Sequence, residues 1–206
     1  MVNEPTNGAA EAIATGLPYI VNVTIEGTAD LLLHSWSCEA VEEKATAKKG
    51  SAAKKTDNLE SYVRRNDDGV ICLPSEYLRM SVVNAAKYRQ DPRSPRKSAM
   101  DLFKAALISL EPLCPITTAA GDLPRVWEYE HKCRVQVQRN GITRVRPAFR
   151  EGWRVDVPLM VNLPEYIPTK DLSDTITQAG KLIGVGDFRP SYGRFHILSF
   201  EVQKAE

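Results

Sequence analysis

Long apolar runs are missing from this sequence. No stretch reaches the roughly 18 to 20 consecutive apolar residues that a membrane-spanning helix needs, and residues 1–18 lack the basic start and apolar run of a secretion signal. Membrane insertion and export are therefore not expected, and the implied location is cytoplasmic. Cysteine is scarce as well: Cys38, Cys72, Cys114 and Cys133 form no CxxC pair, which argues against a disulfide scaffold and fits reduced thiols. Histidine is limited to His34, His131 and His196, with no HxH, HExxH or carboxylate pair at ligand spacing, so neither a metal nor another cofactor is expected. Net charge is almost absent, with 27 basic against 26 acidic side chains. A histone-like polycation is excluded, although local patches are not. What is present is ordinary: 206 residues, 43 % hydrophobic and 26 % charged, the composition of one folded domain.

The charges are segregated along the chain. From Lys44 to Lys55 there are five lysines and no acid, set among Ala, Gly, Ser and Thr, which reads as a mobile basic loop over 44–57. Between Arg64 and Lys97 eight basic residues face four acids, and between Lys132 and Arg154 seven face Glu151 alone. The second cluster is mostly arginine, whose planar fork of donors suits phosphate recognition. From charge alone, Arg134, Arg144, Arg146 and Arg154 are candidate phosphate contacts.

Residues 1–17 read as a flexible N-terminal tail and 18–206 as a single domain. Tyr19, Val21, Val23 and Ile25 alternate with polar Asn22 and Thr24, the pattern of a half-buried strand. Leu31 to Leu33 could extend the sheet or start a helix. Val70 to Leu73 is a short extended piece, after which Ser75 is expected to cap a helix over Tyr77 to Tyr88. Ser98, with Asp101 three residues later, can cap a continuation that carries Leu102, Phe103, Ala106, Leu107 and Leu110 and ends at Pro112. Cys133, Val135 and Val137 alternate with polar residues, and the Asn140–Gly141 dipeptide is one that tight hairpins prefer. Trp153, Val155, Val157 and Leu159 form a further strand. Thr169 can cap a helix carrying Leu172, Ile176, Ala179 and Ile183, with Gly184 at its left-handed end, and Phe195 to Val202 is a last strand. The expected fold is α+β, a ferredoxin-like (RRM-like) βαββαβ sandwich with strands at 19–25, 133–138, 153–159 and 195–202, both helices on one face, and insertions at 44–57 and 111–130.

The run from Ile183 to Phe195, IGVGDFRPSYGRF, holds three glycines, two arginines and two further aromatics before its last residue. Glycine permits positive φ and close backbone approach, so such a loop can present amide N–H groups to phosphate, with Arg189, Tyr192 and Arg194 adding ionic and stacking contacts. It follows a helix and precedes a strand, the reverse of a dinucleotide-binding loop.

In that position the loop resembles the glycine-rich signature of the RAMP superfamily, especially the backbone subunits of CRISPR effector complexes. The run from Asp68 to Lys87, DGVICLPSEYLRMSVVNAAK, is similar to the superfamily's acidic-Gly turn, short strand and helix, and GTADLLL at 27–33 is similar to its first turn. Ser75 stands where many members have Gly and Arg79 where Lys is common. The compact length fits a stand-alone or phage-encoded relative equally well. The resemblance implies binding of single-stranded RNA, or of single-stranded DNA, along a basic groove, with self-association or other complex subunits as further partners. It assigns Gly184, Gly186, Arg189, Tyr192 and Arg194 from the loop, and Arg79 and Lys87 from the helix.

Catalysis is weighed against this. Some RAMP relatives are metal-independent ribonucleases with a histidine soon after the first strand, where His34 stands, and an imidazole can exchange a proton with a 2'-hydroxyl. His34 lies between Leu33 and Trp36, a setting that fits a packed or surface histidine better, so no catalytic residue is assigned. Trp36, Trp127 and Trp153 read as core or edge residues. A phage or multi-subunit assembly protein, whose basic hairpin would face acidic protein, is the other alternative.

Overall fold

A computed structural model describes residues 16–35, 58–137 and 140–204. The tail at 1–15, the basic segment at 44–57, Cys38 and Trp36 lie outside the described residues. The elements run β1 (Tyr19–Gly27), β2 (Leu31–Leu32), β3 (Arg64–Arg65), β4 (Ile71–Pro74), α1 (Ser75–Ala85), β5 (Gln90–Asp91), β6 (Ser94–Ser98), α2 (Met100–Ala106) and β7 (Leu107–Ser109). They continue with β8 (Leu113–Thr117), β9 (Tyr129–Val137), β10 (Asn140–Phe149), β11 (Arg154–Val161), α3 (Thr169–Leu182) and β12 (Phe195–Lys204), and 3-10 turns span Leu59–Tyr62 and Ala86–Tyr88.

Period-2 alternation dictates the centre of the sheet. β1 buries Tyr19, Val21, Val23 and Ile25 completely and is paired antiparallel on both sides, with β11 from Tyr19↔Val161 to Glu26↔Arg154 and with β12 from Tyr19↔Lys204 to Gly27↔Phe195. Leu78, Val82 and Val83 of α1 and Leu172, Ile176 and Ala179 of α3 join the same core as that buried face of β1, and the two helices pack against each other. The fold is the expected α+β, ferredoxin-like sandwich, with sheet order β12-β1-β11-β8-β4-β3 and β7 also on β11. A bulge in β12 pairs Thr24 with Ser199 and then Ile25 with Ile197. Leu198 is the extra residue and is exposed, which is why Phe195 and Ile197, then Phe200 and Val202, pack on the core side despite the change of parity.

The fourth strand differs from the sequence expectation. Residues 133–138 do not take it: β9 and β10 form a separate three-stranded sheet with β2, where Ala148 and Phe149 pair with Leu32 and Leu31. The place beside β11 belongs to β7 and β8, one interrupted strand. Leu107 to Ser109 pair with Val161 to Leu159, and Ile116 and Thr117 with Val155 and Arg154. Between Ser109 and Ile116 the chain swings out so that Leu113, Cys114 and Pro115 pair with Pro74, Leu73 and Cys72 of β4. Strand residues thus lie inside the stretch expected to be an insertion.

The second part of the first helical region is correspondingly shorter than its periodicity predicts. It ends at Ala106 and not at Pro112, because the free edge of β11 recruits Leu107–Ser109. Arg79 holds this break, donating from Nε to Leu107 O and from its terminal nitrogen to Lys104 O, each at 2.6 Å, and so satisfies carbonyls at the end of α2. Helix starts also shift by one residue. Pro74 and Pro168 occupy the cap positions before Ser75 and Thr169, Ala99 precedes α2, and Ser98 is a strand residue; Ser75 Oγ donates to Glu111 O instead. Asn140 and Gly141 are already paired, with Val137 and Gln136, so they belong to β10. Trp153 is fully buried and donates to Ala29 O at 2.9 Å, and Trp127 packs partly buried against the core. Among the described residues no helix is long and apolar enough to cross a membrane.

Candidate functional site

The glycine-rich loop between α3 and β12 is built against the segment that precedes and forms β2. As α3 ends, the amides of Ile183 and Gly184 both donate to Ala179 O at 2.9 Å, and Gly184 takes φ 76°. Val185 then enters the core. At Gly186 φ is 80°, and a Cβ would lie 2.5 Å from Leu32 O; only glycine can pass so close to that carbonyl in this conformation. Gly193, at φ 69°, is tighter still, since a Cβ there would meet Val185 O at 1.7 Å. Asp187 N donates to Leu32 O at 2.9 Å and Gly193 N to Asp30 O at 2.8 Å, while Val185 N donates to Gly193 O at 2.9 Å. Phe188 adds a positive φ of 52° without being glycine. The Val185, Asp187 and Gly193 amides thus bond to the protein itself, and those of Asp187 and Gly193 seat the loop on residues 30–32.

Asp187 is the electrostatic centre of the loop. Its Oδ1 accepts from Phe188 N at 2.9 Å, and its Oδ2 accepts from Arg146 Nε at 2.7 Å. Arg146 is only 4 % exposed, with its guanidinium over the rings of Tyr62 at 4.9 Å and Phe188 at 5.8 Å. It is therefore a structural tie between β10 and the loop, which corrects the expectation of an exposed phosphate contact. His34 reaches the same carboxylate from farther off, with Nδ1 3.8 Å from Oδ2, and its ring meets Tyr62 edge-on at 4.5 Å.

The structure brings together Lys87, Gly186 and Arg189. All three line an open groove of about 500 Å³ between the end of α1 and the loop, with Asn84, Asp187 and Phe188 also contributing. Lys87 and Arg189 are exposed. Tyr192 leans on His131 of β9 with ring centroids 4.9 Å apart, and His131 contacts Tyr129 at 6.5 Å, so a short run of rings joins the hairpin to the loop. Arg194 donates from Nε to Pro190 O at 2.7 Å and is otherwise outward. Arg134 and Arg144 stand on the hairpin opposite Thr143 and Cys133.

Two expected contacts lie elsewhere. Arg79 is held at the end of α2, as described. Arg154 is on the sheet face away from the helices, with Nε 2.5 Å from Glu26 Oε2, and His196 lies 3.7 Å from the other oxygen of that carboxylate. Sequence reading gave no role to Asp187, the one acid of the glycine-rich run, or to His131 and Tyr62, which carry no local motif. Burial pushes the Tyr129 hydroxyl above its ordinary pKa, and its bond to Asp30 at 2.5 Å adds to this. Among the described residues no group of three or more His, Cys, Asp or Glu is placed to hold a metal ion.

No family model matches the chain, and no curated protein matches it. Among solved structures it is similar to a chain in a cryo-EM structure of the Type III-B Cmr-beta bound to cognate target RNA, with 10 % identity and a TM-score of 0.54. The similarity covers 96 % of this chain and 64 % of that one. At this identity the likeness is one of fold alone.

Proposed function

We propose that the protein binds single-stranded nucleic acid, RNA in preference to DNA, without cleaving it, and does so within an assembly of copies or of other subunits. The observation that carries this reading is the groove beside a backbone held in four left-handed conformations. Three of the four are glycines, which adopt such φ without strain, but Phe188 is not, and strain of that kind collects at functional sites. Lys87 and Arg189 stand along the groove, as neutralising a phosphate backbone requires, and the Tyr192 and His131 rings lie on the hairpin side for bases that a single strand leaves unpaired. The RNA held by the Cmr-beta neighbour supports RNA over DNA.

Binding without cleavage is part of this proposal, and Asp187 Oδ2, which Arg146 engages at 2.7 Å, lies 3.8 Å from His34 Nδ1. The test is the anisotropy of a labelled homopolymeric RNA titrated at several salt concentrations. Replacing Lys87 and Arg189 together by Ala should weaken binding and flatten the slope of log K against log salt by about 0.7 for each phosphate that the variant no longer neutralises. Folding should survive, because exposed charges contribute little stability. An unchanged slope in the folded variant would point to the assembly-protein alternative, with these cations facing acidic protein. Loss of full-length RNA with the parent, absent with His34→Ala, would point to a ribonuclease.

A further inference from the structure

The turn that extends α1 carries an aromatic ring in an unusual position. Tyr88 ends the 3-10 turn Ala86–Tyr88 and stays 56 % exposed, whereas Ala86 of the same turn is fully buried. The backbone around it is fixed, since Arg89 N donates to Ala86 O at 3.1 Å and Ala99 N donates to Arg89 O at 2.9 Å. Lys87 Nζ stands 4.7 Å from the Tyr88 ring centroid, and Lys87 also lines, with Arg189, the open groove of about 500 Å³. The ring is thus open to solvent on a hydrogen-bonded turn, beside a cation, and next in sequence to Lys87, which lines the groove. Bases stack on such rings while neighbouring phosphates meet ammonium and guanidinium groups. An exposed tyrosine could equally anchor a protein, but the cations on the groove side favour an anionic polymer with flat, uncharged bases.

We infer that Tyr88 is a base-stacking platform for a single-stranded nucleic acid whose backbone runs between Lys87 and Arg189. This inference rests on the nucleic-acid reading above and adds a residue and a mode of contact to it. Stacking is tolerant of base identity because every base offers a flat face, so the contact distinguishes strands with bases from strands without them.

The experiment compares two labelled probes of equal length, oligouridylate and an abasic ribose-phosphate strand, on the parent protein, Tyr88→Ala and Tyr88→Phe. The parent should prefer oligouridylate. Tyr88→Ala should lose about 5- to 150-fold in affinity for it, the range for removal of one stacking aromatic, and should bind the abasic strand as the parent does. Tyr88→Phe, which keeps the ring, should bind both probes within about twofold of the parent. Circular dichroism should be the same for all three, as expected for an exposed side chain. A parent that binds both probes equally, or a Tyr88→Ala variant that keeps the full preference for oligouridylate, overturns the inference alone. Equal loss on both probes also overturns it, since it would make Tyr88 a backbone or charge contact. A parent that binds neither probe overturns the nucleic-acid reading itself.

Discussion

A guanidinium removed from water needs acceptors within reach, and for Arg146 these include Asp187 and Val145 O. The two partners are not equivalent, because Arg146 has only 5 % of its side chain exposed against 27 % for Asp187. Removing the carboxylate takes its ion pair from a buried cation, whereas removing the cation leaves an anion that water can still reach. Asp187→Ala should therefore destabilise the fold more than Arg146→Met, by up to about 3 to 5 kcal/mol for the former, as measured by urea unfolding of both variants. The reverse order would mean that the ring contacts of Arg146 with Tyr62 and Phe188 outweigh its ion pair. No sequence rule separates Arg146 from Arg144 or Arg134, since all three sit in the same arginine-rich hairpin. Its burial follows from where β10 meets β2, a tertiary fact. Gly186 was legible because a glycine two residues after a helix-ending glycine has few other uses, although its partner carbonyl, Leu32 O, was not.

At the scale of elements, the small hairpin of β5 and β6 is organised by one carboxylate. Asp91 Oδ1 accepts from Arg93 N at 2.9 Å and from Nε at 3.0 Å, and Oδ2 accepts from the terminal nitrogen at 2.8 Å. Hydrogen bonds from the Arg93 side chain and then its backbone favour the charged form and bring the Asp91 pKa from 3.8 down to about 2. A pKa lowered by folding means that the stabilisation is complete above the unfolded value and disappears as pH falls through the folded one. Asp91→Asn should thus be less stable than the parent at pH 6, and the difference should close between about pH 4 and pH 2 in denaturant titrations at each pH. A gap that is constant over this range would show that the hairpin does not depend on that charge. Strands with clean alternation, β1, β9 and β11, could be read from the sequence directly. Leu107–Ser109 could not, because Leu102, Phe103, Ala106, Leu107 and Leu110 keep helical spacing and only the open edge of β11 turns the last of them into strand.

The whole molecule is a sandwich whose order could be read while one of its strands could not. Period and turn chemistry locate elements but do not say which sheet a strand joins, so the hairpin at 129–149 was assigned to the wrong one. The same limit applies to the site: the loop, Lys87 and Arg189 were legible, but their convergence on one groove depends on α1 and α3 lying side by side. The pairing of β1 carries a consequence for synthesis of the chain. Both neighbours of this first strand, β11 and β12, come from the last quarter of the sequence. Contacts this distant in sequence make folding slow. At about 5 to 20 residues per second, a ribosome takes on the order of ten to thirty seconds to reach β12 after completing β1. A nascent chain stalled at Arg194 should accordingly stay sensitive to protease throughout, whereas one released after Lys204 becomes resistant; early resistance would show that β1 and β11 suffice. Until its partners arrive, the apolar row of Tyr19, Val21, Val23 and Ile25 is a sticky ribbon without a sheet neighbour on either side. Chaperones that shield that ribbon during translation should then raise the yield of soluble protein.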